Sequence, residues 1–270
     1  MDDLTITEKL IYSTVRIECE TYAGKTTGSG YFFAFKRTEV GFIPVIITNK
    51  HVIKNSIRGK IFFTKADESD NPIDTEKVDI TINDFERRWI MHPDKDVDLC
   101  FLPFADILNF LEKKGEKAFF IPLETTLIPS DEQIKEFNGI EEIIMVGYPN
   151  GLWDETHNKP IFRKGITASH PKYDYNGKKE FLIDAACFPG SSGSPVFLLY
   201  EGAFTDRKGN LLGGVKFHLL GTLYAGPQHT AKGEIVITPI SKLPTIMTSV
   251  PNNLGFIIKS SRILELESLV

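Results

Sequence analysis

Phe188-Pro-Gly-Ser-Ser192-Gly-Ser-Pro-Val-Phe197 sets a serine between glycines in the pattern G-x-S-G-S-P. Apolar runs flank it, Phe181-Leu-Ile-Asp-Ala-Ala186 before and Pro195-Val-Phe-Leu-Leu199 after. Glycines on both sides let the backbone turn sharply, expose the hydroxyl and leave amides free to converge on one point. A serine hydroxyl is a poor nucleophile alone; it needs a base within reach, and the base needs an orienting group. Of the six histidines, His51 stands apart at the exit of the apolar run Ile43-Pro-Val-Ile-Ile-Thr48, whereas His92-Pro-Asp reads as loop. Candidate acids are Asp96 and Asp98, at the entrance to the strand-like run Asp98-Leu-Cys-Phe-Leu102. A histidine, an aspartate and an activated serine are the groups that acyl transfer requires.

The elements that must position them read as β-strands. Thr14-Val-Arg-Ile-Glu-Cys19, Tyr31-Phe-Phe-Ala-Phe35, Ile61-Phe-Phe-Thr64, Val78-Asp-Ile-Thr-Ile82, Glu142-Ile-Ile-Met-Val146, His218 to Ala225 and Glu234-Ile-Val-Ile-Thr238 are short, apolar or alternating, and separated by Gly/Pro/Asn turns. Residues 65–77 are charged, contain Asn71-Pro72 and read as loop. Helical spacing is confined to short pieces: residues 4–12 with Thr7 as cap, Ala105 to Lys114 ended by Gly115, a capping box at Ser130-Asp-Glu-Gln133, and the tail from Ile257. Evenly spaced short strands with few helices predict a sandwich or barrel, and strand-rich halves on either side of 105–140 predict two barrels. The boundaries follow: residues 1–115 with His51 and Asp98, a connection over 116–140, residues 141–250 with Ser192, and a tail over 251–270.

The chain has 270 residues, a net charge of −5 with both signs interspersed, and 20 phenylalanines. That size buries a substantial core, and the charge argues against nucleic acid or an anionic membrane as partner. No run approaches the ~18 apolar residues of a membrane helix. The acidic start lacks the basic, then apolar, form of a secretory signal. Three cysteines, Cys19, Cys100 and Cys187, do not describe a disulfide framework. Together these features lead us to expect a reducing, cytoplasmic setting.

The chain order His, Asp, Ser, with its local motifs, resembles the trypsin-like (chymotrypsin-fold) serine peptidases. Ile47-Thr-Asn-Lys-His51-Val resembles their histidine motif, Asp98-Leu-Cys-Phe-Leu their aspartate motif and Gly190-Ser-Ser192-Gly-Ser-Pro their nucleophile motif. Thr27-Gly-Ser-Gly-Tyr31 resembles the segment opening the first barrel in bacterial members, and Gly221-Thr-Leu-Tyr-Ala-Gly226 the strand lining the substrate cleft. The nearest flavour is similar to the glutamyl endopeptidases and the HtrA protease domain, without a PDZ module. The resemblance implies an all-β fold of two six-stranded antiparallel barrels, with short helices at the N-terminus, between the barrels and at the C-terminus. It also implies a serine endopeptidase in which His51 is the base, Asp98 its orienting acid and Ser192 the nucleophile. The backbone amides of Gly190 and Ser192 form the oxyanion hole, and neither cofactor nor metal is required. The register of the aspartate motif has two forms. With Asp96 as the acid, Asp98 falls where the family has a small residue and buries a second charge; with Asp98, that place is Cys100. Asp98 is the favoured acid and Asp96 the alternative.

The same resemblance places Ala186 at the base of the primary pocket, where no acid supports an Arg/Lys preference. Cys187, Tyr224, Ala225 and Gly226 line its wall, Tyr224 narrowing it, and His229 lies just beyond. The long loop Pro149-Asn-Gly-Leu-Trp153-Asp-Glu-Thr-His157-Asn-Lys-Pro160 borders either the cleft or, through Trp153, the second barrel. One departure stands out: Ser191 replaces the aspartate that pairs with a new N-terminal amine when digestive members are activated. With no propeptide visible, narrow specificity or a regulatory protein partner would restrain the enzyme. The expected partner is a protein or peptide substrate. The competing reading is a catalytically silent pseudopeptidase that binds peptides, which a collapsed Gly190-Ser191 loop would favour. An esterase elbow is disfavoured because Pro195 leads into an apolar strand rather than a helix.

Overall fold

Alternation along a few strands sorts the apolar residues into separate cores. The computed structural model describes residues 4–226, 228–231, 248–251 and 253–270. The first half is a nine-stranded sheet built from β1 (Thr14–Thr21), β2 (Gly24–Thr38), β3 (Gly41–Thr48), β4 (Arg58–Ala66), β5 (Pro72–Asn83), β6 (Ile90–Met91), β7 (Cys100–Pro103), β8 (Ala118–Phe119) and β9 (Leu123–Glu124). Its path runs β5-β4-β1-β2-β3-β7-β6, with β8 on β4 and β9 on β2. The charged stretch read as loop over 65–77 is mostly strand: β4 and β5 pair across a turn of only residues 67–71. Its exposed edge position tolerates Asp, Glu and Lys, which hid it from an apolar pattern.

The second half is a closed six-stranded barrel, β10-β11-β12-β19-β16-β13. Its strands are β10 (Glu142–Gly147), β11 (Ile161–Thr167), β12 (Glu180–Asp184), β13 (Pro195–Tyr200), β16 (Lys216–Ala225) and β19 (Leu254–Lys259). Two further antiparallel strand pairs stand outside the barrel, β14 (Ala203–Thr205) with β15 (Leu211–Gly213) and β17 (Gln228–Ala231) with β18 (Thr248–Pro251). β19 falls in the segment expected to be a separate tail, yet it completes the barrel between β12 and β16. Likewise β8 and β9 of the expected connection are strands of the first sheet. The strand expected over 234–238 lies outside the described residues.

β2 is buried on both faces from Gly28 to Phe35. Phe32 points into the core of the first half with Val15, Ile17, Ile61 and Phe104. Tyr31, Phe33 and Phe35 point the other way, into a core shared with Val146, Phe197, Leu219 and Ile258 of the barrel. A period of two thus sends neighbours to different cores, and each fully buried phenylalanine contributes about 1.5–3 kcal/mol. Ile143, Met145, Val196 and Leu198 alternate with Ile144, Val146 and Phe197 in the same way, filling the barrel's own core.

Short helices close the ends. α1 (Ile6–Ile11) is capped by Thr5, not Thr7: its hydroxyl accepts the Glu8 N–H while Glu8 accepts the Thr5 N–H. α2 (Lys50–Ile53) is one turn, α3 (Ala105–Lys113) ends at Gly115 with φ +73, and α4 (Asp131–Lys135) has the expected Ser130–Gln133 capping box. α5 (Ser261–Glu267) docks on the loop that leads to Asp98. Arg262 of α5 donates to Asp94 Oδ2 at 2.5 Å and to Glu265 at 2.9 Å. The Asp94 N–H donates to Nδ1 of buried His92 at 3.1 Å, and His92 Nε2 lies 3.4 Å from Glu265. Burial, then the nearby Arg262 charge, hold the His92 pKa below its ordinary 6.5.

Two stability predictions follow from buried charge. Glu141 is buried and accepts from Lys216 Nζ at 3.0 Å, Tyr200 Oη at 2.8 Å and the Asn138 N–H at 2.8 Å. Glu141→Ala strands the Lys216 ammonium, so urea unfolding will register a loss of about 3–5 kcal/mol. For His92 the fold favours the neutral ring, so the unfolded chain takes up its proton first as pH falls through 6.5. Folding free energy therefore declines below pH 6.5, and His92→Gln will make that decline shallower; an unchanged slope contradicts the assignment. His170 and His218 are also held low chiefly by burial and add to the decline.

Candidate active site

The first half contributes a histidine and an acid. β3 ends at Thr48, and the chain turns through Asn49 into α2, which carries His51. Gly28 on β2 permits this: a Cβ there would stand 2.4 Å from a Val52 methyl, so only glycine lets the one-turn helix sit this close. Buried Asn49 anchors the turn by donating from Nδ2 to the Asp98 carbonyl at 2.7 Å. Asp98 in turn grips the helix with both carboxylate oxygens. Oδ2 lies 2.5 Å from His51 Nδ1, and Oδ1 accepts the His51 backbone N–H at 3.1 Å. Asp98 therefore fixes the ring and the turn that bears it. Asp96 is exposed and has its N–H on Asp94 Oδ1 at 3.0 Å, away from His51. Neighbouring Lys50 is held below its usual pKa, chiefly by burial, and donates to the Asp94 carbonyl at 2.9 Å.

The second half contributes the serine turn. Pro189 and Gly190 are the central residues of a turn closed by the Ser191 N–H on the Phe188 carbonyl at 3.0 Å. Proline followed by a residue at positive φ is the type II pattern, and Gly190 has φ +87. A side chain there would also meet the Tyr148 carbonyl at 2.7 Å. The Pro189 carbonyl accepts the Asn150 N–H at 2.5 Å. Because the peptide is trans, the Gly190 N–H points to the opposite side. Neither the Gly190 nor the Ser192 N–H has a protein acceptor among the described residues. Gly193 also has φ +87, and a Cβ on it would overlap the Ser29 carbonyl at 1.9 Å, so the turn sits directly on β2.

Three serines share the turn, but Ser191 and Ser194 are fully buried and only Ser192 reaches the cleft. The Ser191 and Ser194 hydroxyls have no hydrogen-bond partner among the described residues. Ser192 Oγ donates to the Tyr224 carbonyl at 3.4 Å rather than to His51. Ser192, Gly190 and His51 line one cleft of about 590 Å³, walled by Lys25, Thr26, Thr27 and Asn150. A larger open depression of about 650 Å³ along Thr21–Ala23 and Lys54–Ile57 contains no histidine.

A second cavity of about 160 Å³ opens beside Ser192, lined by Cys187, Phe188, Pro189, Leu223, Ala225 and Gly226. Of the residues expected to line a primary pocket, this cavity's lining includes Cys187, Ala225 and Gly226 and does not include Ala186 or Tyr224. Tyr224 sits at a β-bulge between β16 and β19; its hydroxyl donates to Glu180 at 2.9 Å and its ring packs on Phe256. It offers the site only its carbonyl. Leu223 takes the wall instead, which strand alternation with Ala225 signals. Burial pushes the Cys187 thiol up to about 11, marking it as a neutral wall residue. The His229 side chain lies outside the described residues.

The 149–160 loop leaves the cleft after Asn150 and packs mainly on the first half, while Trp153 also meets the Tyr148 ring just after β10. Trp153 lies against Phe62, with the Arg16 guanidinium 4.7 Å and Lys77 Nζ 4.4 Å from its ring centroid. His157 and Asp154 pair at 2.7 Å, exposed and within one local turn. The described residues hold no His/Cys/Asp/Glu group of metal-binding form.

A family model described as a trypsin-like peptidase domain matches residues 28–205. No curated protein matches the chain. Among solved structures, the chain is similar to a serine-to-alanine variant of the HtrA-type protease AlgW with tripeptide. That match has 14% identity and a TM-score of 0.51, covering 96% of this chain and 60% of that one. The serine endoprotease from Yersinia pestis is similar at 15% identity and a TM-score of 0.48, covering 96% of this chain and 62% of that one. The chain therefore spans about 60% of the length of these proteins, and likeness at such identity speaks to the fold. The family match is broader evidence: it takes in more than half of the chain, including His51, Asp98 and Ser192. The chain belongs to the trypsin-like peptidase domain family.

Proposed function

We propose that this chain is a serine endopeptidase that hydrolyses peptide bonds through His51, Asp98 and Ser192. The observation that carries the reading is the two-point grip of Asp98 on His51, at 2.5 and 3.1 Å, in the cleft that Ser192 and Gly190 share. With Nδ1 engaged by the carboxylate, the ring's other nitrogen, Nε2, is left as the base. Ser192 Oγ turns from the Tyr224 carbonyl toward Nε2, gives up its proton and attacks the scissile carbonyl. Nε2 then protonates the leaving amine, and a water repeats the sequence in reverse on the acyl-enzyme. Asp98 stabilises the imidazolium and holds the tautomer.

The free amides of Gly190 and Ser192 receive the oxyanion; one such donor is typically worth about 2.7–4 kcal/mol in the transition state. Ser191, buried and uncharged, removes any need for an ion pair to shape this turn, which the Pro189–Gly190 geometry already holds open. That open turn favours catalysis over the silent, peptide-binding reading. The AlgW structure contains a tripeptide, and a peptide is the ligand we assign to this cleft. The side chain before the scissile bond enters the 160 Å³ cavity, whose described lining has no carboxylate to attract Arg or Lys.

Incubation with a proteome-derived peptide library, read by mass spectrometry for new termini, tests this. Ser192→Ala and His51→Ala will each abolish cleavage, and Asp98→Asn will lower kcat by about 10⁴-fold. Asp96→Asn will leave cleavage within about 3-fold, since distant surface changes are small. Cleavage that survives Ser192→Ala contradicts the assignment.

A further inference from the structure

Ser29 belongs to no motif residue assigned a role above, yet every polar group it has is committed at the seam between the two halves. It is fully buried. Its N–H donates to the Ser192 carbonyl at 2.9 Å. Its hydroxyl donates to the Gly190 carbonyl at 2.9 Å and accepts the Tyr148 N–H at 2.9 Å. Its own carbonyl accepts the Thr48 hydroxyl at 2.6 Å, two residues from α2. One residue therefore pins the carbonyls of Gly190 and Ser192, the two residues whose N–H groups are free.

The hydroxyl matters because of what it restrains. Gly190 occupies positive φ, and glycine takes negative φ as readily. The Pro189–Gly190–Ser191 backbone can thus turn over unless its carbonyls are tied. The Asn150 N–H holds the Pro189 carbonyl and the Ser29 hydroxyl holds the next one. Through the Tyr148 N–H, the same hydroxyl also fixes the loop that supplies Asn150.

We propose that Ser29 is a positioning residue whose hydroxyl, by tying the carbonyl of the Gly190–Ser191 peptide, keeps the flanking Gly190 and Ser192 amides aimed at the substrate carbonyl. The inference rests on the peptidase reading above. It identifies a serine acting from the opposite half of the molecule, without contact to substrate.

The test uses the full chain and three variants, Ser29→Ala, Ser29→Cys and Tyr31→Phe. Tyr31→Phe removes another buried bond across the same seam, the 2.8 Å contact between the Tyr31 and Thr222 hydroxyls, which does not touch Gly190. The readouts are melting temperature, the rate constant for fluorophosphonate labelling of Ser192, and kcat and KM on a cleaved peptide. Ser29→Ala will lower kcat and the labelling rate about 10- to 100-fold, the scale of a small misplacement at a reacting centre, with KM within about 3-fold. Ser29→Cys, close in volume and a weaker donor, will fall between, and it carries the test if the alanine variant does not fold. Tyr31→Phe will lower the melting temperature and leave both rates within about 2-fold. Wild-type rates in folded Ser29→Ala or Ser29→Cys, or an equal loss in Tyr31→Phe, overturn the proposal. A folded wild type that neither labels nor cleaves overturns the peptidase reading itself, and this inference with it.

Discussion

The contact between β2 and the 190–193 turn is the constraint on which the arrangement depends. His51 and Asp98 lie in the first half and Ser192 in the second, so no local sequence can set their relation. It is set where Gly193, lacking a Cβ, lets the turn rest on the Ser29 carbonyl, and where Ser29 bonds the carbonyls of Gly190 and Ser192. Around this point the seam is largely apolar. Tyr31, Phe33 and Phe35 of β2 meet Phe197, Leu219 and Ile258 of the barrel in one core. Apolar packing supplies the adhesion without direction, and the few buried hydrogen bonds supply the register.

Each half then restrains its own reactive group. Asp98 acts twice, on the His51 ring and on its backbone N–H, so one carboxylate both orients the ring and builds the turn presenting it. The loop before Asp98 is held in turn by α5 through Arg262 and Asp94. On the other side, the 149–160 loop leaves the barrel and clamps Trp153 between Arg16 and Lys77 of the first half. That carries Asn150 to the Pro189 carbonyl. The cleft is thus bounded by segments tied across the seam.

Much of this was legible in the residues because chemistry and backbone geometry demand particular types. Gly190, Gly193 and Ser192 form a pattern no ordinary turn requires, and His51 and Asp98 stand at strand ends facing it. The Ser130 capping box and the stop at Gly115 follow from backbone hydrogen bonding alone. What escaped was tertiary. Ser29 sits within the long strand β2, and its partner carbonyl lies 161 positions away. Tyr224 looked like a pocket wall, but the alternation that sets Leu223 and Ala225 on the cavity sends its ring to Glu180. β19 was obscured because Ile257 onward has helical spacing, while its pairing with β12 and β16 depends on segments far off in sequence. The first half of edge strand β5, residues 72–77, carries too many charges to announce itself, whereas Val78 to Ile82 alternates.

The central claim is that Ser192, and not its buried neighbours, is activated by His51 across the seam. The most direct measurement is the mass-mapped site of a fluorophosphonate adduct on the intact chain. A single adduct is expected on Ser192, and it disappears in His51→Ala with the fold retained. An adduct on Ser191 or Ser194, or labelling of Ser192 that persists without His51, would contradict it.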